Sequence, residues 1–376
     1  MKILELCLSP GLGGLELYAF RSSLALSAQH QVISVITANG KLAERYRTYP
    51  ALKTHYLNYR HSYLPLINAG KLKKIIDQEE IDVIHMHWGN DLALAAIAKK
   101  LSKRKPALVY TRQMQITRSK DDIYHHFLYS QMNRMLTITH ALEKEARKFI
   151  HPFADRILTL YYGVASLAHK LSADEITQKR RQLNFEDADF VVGLFGRLED
   201  GKGQHLLLKA IAEARRNNII IKALIVGHEM TPGYKNTLTR LANELNIHDQ
   251  IQFSDFVSEP QLLMQICDCI VLTSYEETFG LVLPEAMRAE IAVIGSRAGG
   301  VPEIIDHETT GLMFETRDAL SLCQQICKLH SNPRLKNQLA QAGKNKADIL
   351  FNQETHFAKL EQHLLDAIQS GQLHTS

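Results

Sequence analysis

Phe190-Val191-Val192-Gly193-Leu194-Phe195-Gly196-Arg197-Leu198-Glu199-Asp200-Gly201-Lys202-Gly203 restarts, midway along the chain, a pattern that the first half has already run through once. The stretch begins as an apolar, strand-forming run and continues as a glycine-bounded loop holding one arginine and one lysine. Upstream, strand-forming runs at 2–8, 32–37, 54–57, 82–86, 107–111 and 135–138 alternate with helical patterns near 14–28, 69–78, 91–102, 122–133 and 140–149. Downstream, further strand candidates lie at 221–226, 251–253, 269–273 and 291–294. Alternation of this kind predicts parallel sheets covered by helices on both faces. Two such series predict an α/β chain of two doubly wound, Rossmann-like domains, 1–165 and 166–350. The join falls within 163–189, where Ser172-Ala173-Asp174-Glu175 begins a linker-like helix. Residues 351–376 carry a helical pattern with apolar side chains at 357, 360, 364, 365 and 368, which either closes the second domain or packs back onto the first.

Composition agrees with two domains. A chain of 376 residues with 45% hydrophobic content exceeds one ordinary core. No apolar run reaches the length of a membrane span, so no transmembrane helix is expected. The start, Met1-Lys2-Ile3-Leu4-Glu5-Leu6-Cys7-Leu8, is interrupted by an acid and stopped by Ser9-Pro10-Gly11, and reads as a first strand rather than a signal peptide. Cysteines at 7, 267, 269, 323 and 327 are scattered and odd in number, which suits reduced thiols in the cytoplasm. Cys323 and Cys327 share a helix face, but no His/Cys pair completes a zinc set.

Charge is uneven. Residues 1–165 hold 23 Lys and Arg against 13 Asp and Glu, whereas 166–376 hold 21 against 27. The excess gathers at Lys99-Lys100-Leu101-Ser102-Lys103-Arg104-Lys105 and between Arg112 and Lys120. A basic domain can attract an anionic membrane surface or an acidic acceptor. A solvated helix end followed by a basic loop explains the same residues. Nucleic acid is disfavoured, because no recognition motif or interleaved aromatic accompanies the charge.

In open parallel sheets ligands bind beyond the carboxyl ends of strands, so the loops after strands hold the site candidates. Gly11-Leu12-Gly13-Gly14-Leu15-Glu16 follows the first strand and opens a helix, which suits close backbone approach to an anion, or a purely structural turn. It lacks the spaced glycines of a dinucleotide fingerprint. In the loop after 190–195, Arg197 offers a bidentate fork and Lys202 a mobile point charge. Both can converge on a diphosphate, or pair with Glu199 and Asp200 as a solvated turn. Ser296-Arg297-Ala298-Gly299-Gly300-Val301-Pro302-Glu303 is another strand, glycine turn and helix start, either lining a cleft or shaping the backbone. Ser274-Tyr275-Glu276-Glu277-Thr278-Phe279-Gly280-Leu281-Val282-Leu283-Pro284-Glu285-Ala286-Met287 places Glu277 in a loop after a strand and Glu285 in the first turn of an apolar helix. Carboxylates there can accept hydrogen bonds from sugar or ribose hydroxyls, or stand as surface charges favoured by the helix dipole.

These stretches, in this order, resemble the retaining, nucleotide-sugar-dependent glycosyltransferases of family four (glycosyl transferases group 1), which have the GT-B fold. The resemblance rests on Gly13-Gly14-Leu15-Glu16, Gly196-Arg197 with Lys202-Gly203, Glu277 through Glu285, and Gly299-Gly300-Val301-Pro302-Glu303 with Thr310-Gly311-Leu312, and it spans nearly the whole chain. It implies an acceptor-binding first domain and a donor-binding second domain facing across a cleft. It further implies that Arg197 and Lys202 bind the donor diphosphate, that Glu285 holds the ribose and that Glu277 contacts the transferred sugar. Gly13, Gly14, Phe279, Gly280 and Leu281 would line the donor. No metal or other cofactor is expected, since cationic side chains and helix ends would carry the leaving charge. The implied partners are a UDP- or GDP-sugar and a saccharide or lipid-linked acceptor, in surface polysaccharide, lipopolysaccharide or glycolipid synthesis. The expected location is the cytoplasm, with peripheral contact to an anionic membrane.

One position departs from the family pattern. Where relatives carry a histidine after an arginine, this chain has Thr111-Arg112-Gln113-Met114, and Gln113 cannot titrate near neutrality. Arg112 and Gln113 remain candidates for acceptor or sugar contact. His85, within a strand, reads as a core residue. Gln113, with Tyr161-Tyr162-Gly163-Val164 where relatives show Asn before Gly-Val, also admits an alternative: a non-catalytic nucleotide-sugar binder or partner subunit.

Overall fold

The computed structural model describes residues 1–58, 64–255, 257 and 259–373; the end of the C-terminal segment, 374–376, lies outside the described residues. The chain divides into two compact units, Met1–Tyr161 together with the chain from Glu354, and Tyr162–Gln353. Both are built on all-parallel sheets, as the alternation of strands and helices predicts.

The first unit holds seven strands: β1 (Lys2–Cys7), β2 (Gln31–Thr37), β3 (Lys53–Leu57), β4 (Val83–Met86), β5 (Ala107–Arg112), β6 (Arg134–Thr137) and β7 (Ile157–Thr159). Their order is β3-β2-β1-β4-β5-β6-β7, so the winding direction reverses between β1 and β4. The period of two along each strand sorts side chains to opposite faces. Leu4, Leu6, Ile84, Met86, Leu108 and Tyr110 pack against helices Leu66–Gln78, Leu92–Leu101 and Ile123–Ser130. Ile3, Val83 and Val109 face the other way, onto Leu26 of helix Gly14–Ser27 and onto the C-terminal helix Gln353–Leu373.

The C-terminal helix packs on the first sheet. Leu360, Leu364 and Ala367 are buried in the first unit's core, flanked by Phe357 and Ile368, while Leu365 stays partly exposed. His356 anchors its start. A carbonyl can only accept, so the Nδ1–H of His356 donates to Tyr161 O at 2.7 Å, leaving Nε2 to accept from the Tyr18 hydroxyl at 2.9 Å.

The second unit holds β8 (Val191–Phe195), β9 (Lys222–Val226), β10 (Ile251–Ser254), β11 (Cys269–Leu272), β12 (Ala292–Ser296) and β13 (Leu312–Phe314), ordered β10-β9-β8-β11-β12-β13. The reversal lies between β8 and β11. Strands β7 and β13 and the helix Lys41–Arg47 were not anticipated. Each is too short for a periodic signal, and both strands lie at sheet edges, held by pairing with β6 and β12.

Candidate active site

The switch point of the second sheet brings two of the expected site residues into contact. Lys202 follows β8 and Glu277 follows β11, and Lys202 Nζ donates to Glu277 Oε2 at 2.7 Å. Ser274 Oγ donates to the same carboxylate oxygen at 3.1 Å. Both charges are only partly exposed, 23% and 16% by side chain, so the pair is screened less than a surface ion pair.

Backbone contacts knit the two loops together. Thr273 Oγ1 donates to Lys202 O at 2.6 Å, and Tyr275 N to Gly201 O at 3.0 Å. Gly203 sits at φ +68°, and a Cβ there would come within 2.4 Å of Thr273 O. The loop after β12 forms the seat beneath. Gly300 N donates to Glu277 O at 2.9 Å and Ser296 Oγ to Ser274 O at 2.7 Å. Gly299, at φ +55°, lies so close that a Cβ would stand 1.9 Å from Glu277 O. These glycines let backbone pass under the Glu277 loop, a role that loop composition alone left open.

The other expected residues are placed differently. Arg197 turns to Glu199, at 3.0 Å, while Gln204 Nε2 donates to its carbonyl at 2.8 Å. Phe279 is buried, its ring edge-on to Tyr162 and Phe351, so only its backbone is left to face a ligand. Gly280 takes φ +94°, Leu281 caps helix Val282–Arg288, and Glu285 lies half-buried in that helix.

In the first unit, Gly13 caps helix Gly14–Ser27, and its N–H donates to Glu16 Oε2 at 2.7 Å. Ser9 Oγ donates to the other oxygen of the same buried carboxylate. An acid of the chain itself thus takes the Gly13 N–H that loop composition offered to an anion. At the end of β5, Arg112 reaches the Tyr110 hydroxyl at 3.2 Å and Gln115 O at 2.6 Å. Gln113 is buried, and its Nε2 has no hydrogen-bond partner among the described residues.

A buried polar cluster beside these residues was not foreseen. Glu5, registered opposite His85 across β1 and β4, accepts from His85 Nδ1 at 3.0 Å, His87 Nε2 at 2.5 Å and Ser22 Oγ at 2.8 Å. His85 Nε2 meets Thr111 Oγ1 at 2.7 Å, which places His85 in the core. Burial alone would raise the Glu5 pKa, but the His85 and His87 imidazoles hold it at about 2. Burial, with His85 adjacent, pushes His87 down to about 4. Asp91, accepting from Leu8 N at 2.9 Å, is pushed up to about 8 by burial. The signal in the sequence is an acid within an apolar strand and a His-x-His run in another, legible only once the register is known.

Comparison with known proteins follows this geometry. The model described as "Glycosyltransferase Family 4" matches residues 12–172, and that described as "Glycosyl transferases group 1" matches 175–346. The chain is 23% identical to the N-acetyl-alpha-D-glucosaminyl L-malate synthase of Bacillus anthracis, over 96% of both chains. It is 30% identical to the D-inositol 3-phosphate glycosyltransferase of Corynebacterium glutamicum over 46% of this chain and 44% of that one. Among solved structures, Anabaena Alr3699/HepE in complex with UDP superposes with a TM-score of 0.84 at 23% identity, covering 97% of this chain and all of the other. A glycosyltransferase from Rickettsia africae superposes at 0.87 and 19% identity, covering 98% of each. These likenesses carry the two-sheet architecture at full length.

Proposed function

This chain belongs to the family-four glycosyltransferases with the GT-B fold, and from that membership we propose that it moves a hexosyl-type sugar from a UDP- or GDP-linked donor to an acceptor hydroxyl with retention of configuration. The observation carrying this reading is the Lys202–Glu277 pair at the switch point of the second sheet, where doubly wound folds bind ligands.

In the proposed reaction Lys202 leaves Glu277 to bind the entering diphosphate, and Arg197 leaves Glu199 to join it. Glu277, freed of its cation, accepts hydrogen bonds from the sugar hydroxyls. Glu285 holds the ribose, and the backbone from Phe279 to Leu281 lies along the donor. As the bond from C1 to the phosphate oxygen breaks, its electron pair leaves with the diphosphate. The acceptor oxygen bonds C1 on the same face and passes its proton to that phosphate oxygen. Gln113 cannot supply or remove a proton near neutrality, so it and Arg112 are assigned to binding. Two cationic side chains stabilise the leaving charge without a metal ion.

An anionic acceptor agrees with the basic first unit. The Bacillus and Corynebacterium relatives are named for L-malate and inositol 3-phosphate, both acids. We place the reaction in surface polysaccharide, lipopolysaccharide or glycolipid synthesis at the cytoplasmic face of the membrane. Among the described residues no helix is long and apolar enough to cross it. Calorimetric titration with UDP, GDP and ADP in EDTA tests the donor side. One nucleotide is expected to bind, with affinity about tenfold or more weaker in Lys202→Ala. Absence of binding by all three, or binding indifferent to Lys202, contradicts the assignment.

A further inference from the structure

We propose that Cys323 and Cys327 form a dithiol site for a trivalent arsenical, held by both sulfurs at once. The two cysteines lie four apart on helix Ala319–Ser331, so they share one face, one turn from each other. Their Sγ atoms stand 3.8 Å apart. Cys323 is buried and Cys327 partly exposed, whereas Cys7, Cys267 and Cys269 are all buried. One sulfur of the pair therefore meets a small reagent first, and the other stands within contact distance behind it. A hydrogen bond from Cys323 holds the Cys327 thiol below its ordinary range, which favours the nucleophilic thiolate at the exposed sulfur. The same bond, with burial, pushes Cys323 up. Cys327 lies roughly 12 Å along the helix from Ala319, away from the carboxyl-edge loops that hold Lys202 and Glu277.

Span and ligand count select the occupant. On a helix, Cβ atoms four apart stand about 5–6 Å from each other, beyond the roughly 3.5–4.5 Å that a disulfide needs. An unbroken helix thus keeps the pair as thiols. A linear two-coordinate ion would drive the sulfurs further apart. With bonds of about 2.3 Å, the length of a zinc–thiolate contact, a separation of 3.8 Å is spanned at a bent, near-tetrahedral angle. Zinc has that angle but takes four ligands. Among the described residues no third His, Cys, Asp or Glu offers an atom within 4.8 Å of both sulfurs. A pyramidal centre with three bonds needs only the two sulfurs and one group of its own. Trivalent arsenic meets these conditions. In the reaction an organoarsenic oxide gains two As–S bonds, and its oxygen leaves as water with the two thiol protons; no oxidant takes part.

Titration of the reduced full chain with phenylarsine oxide, read by mass and by thiol counting, tests this without donor or acceptor. One arsenical per chain is expected, bound through two thiols, released by a small dithiol and resistant to a monothiol. The adduct should raise the melting temperature, as a ligand of the folded state does. Cys327→Ser and, separately, Cys323→Ser should each weaken binding about a hundredfold or more, because the second bond is made within the chain. Cys327→Ser alters a partly exposed side chain, and so tests the site even where Cys323→Ser fails to fold. Full-strength binding by Cys327→Ser, an adduct confined to Cys7, Cys267 or Cys269, or no adduct at all overturns the proposal. So does a disulfide between Cys323 and Cys327 formed by mild peroxide in the folded chain, or one equivalent of zinc retained through both thiols.

Discussion

A single ion pair and the glycine beneath it decide how the candidate site is held. Lys202 and Glu277 were legible in sequence because each follows a strand run in a distinctive loop, and because the resemblance to family four rests on both stretches. The partner of Arg197 was legible only as an alternative, since Glu199 lies two positions along and every loop offers such choices. Glu5 escaped notice because the groups it binds are set by tertiary register. Glu16 stood within the glycine-rich motif, but its local capping of Gly13, three positions back, was not read from that spacing. At this scale Gly299 gives a sharp expectation. Gly299→Ala forces a Cβ against Glu277 O at a backbone conformation that side chains disfavour, and should cost about 1–3 kcal/mol of stability. Because the displaced group is the Glu277 loop, transfer should also fall about tenfold or more under conditions where the variant remains folded. Denaturant melts paired with turnover check this; unchanged turnover in the folded variant contradicts the seat. Glu277→Gln keeps the size and removes the charge, and should lower turnover by about a hundredfold.

Most strands and the first unit's longer helices were legible because burial on both faces leaves unbroken apolar runs and amphipathic helices leave a period. Helices Gln204–Arg216 and Pro333–Leu350 of the second unit were not placed. Edge strands β7 and β13 were not, since three residues carry no period and their pairing is decided by neighbours. The docking of the C-terminal helix was equally invisible: its apolar stripe names a face but not the surface it meets. What that docking buries has a pH signature. Burial holds His356 at about 3 and His87 at about 4, against 6.5 for an exposed imidazole. The folded state therefore refuses protons that the unfolded chain accepts, so this stability is complete above about pH 6.5 and is lost as pH falls toward 4. Asp91 has the opposite sign. Raised from 3.8 to about 8, it keeps a proton that the unfolded chain releases, so its contribution is lost as pH rises through that window. Urea midpoints should fall from pH 6.5 to 4.5, where two histidines outweigh one aspartate. Asp91→Asn, which retains an acceptor for Leu8 N, should gain on the parent steadily between pH 4 and 8. A parent midpoint flat in the acid range, or a variant difference that does not change with pH, contradicts this account.

For the whole molecule, two runs of one strand pattern, each wound about a central switch point, place the carboxyl-edge loops of each sheet where ligands bind. Charge divides between the units in the same way as the assigned work, with cations in excess where an acidic acceptor and an anionic membrane are proposed. The most direct test of a metal-independent sugar transferase is nucleotide release from a panel of UDP-, GDP- and ADP-sugars in EDTA, with Glu277→Ala and Lys202→Ala alongside. Release from one donor, abolished in both variants, is the predicted result. Release that survives either substitution, or none from any donor by a protein that binds the nucleotide tightly, contradicts it.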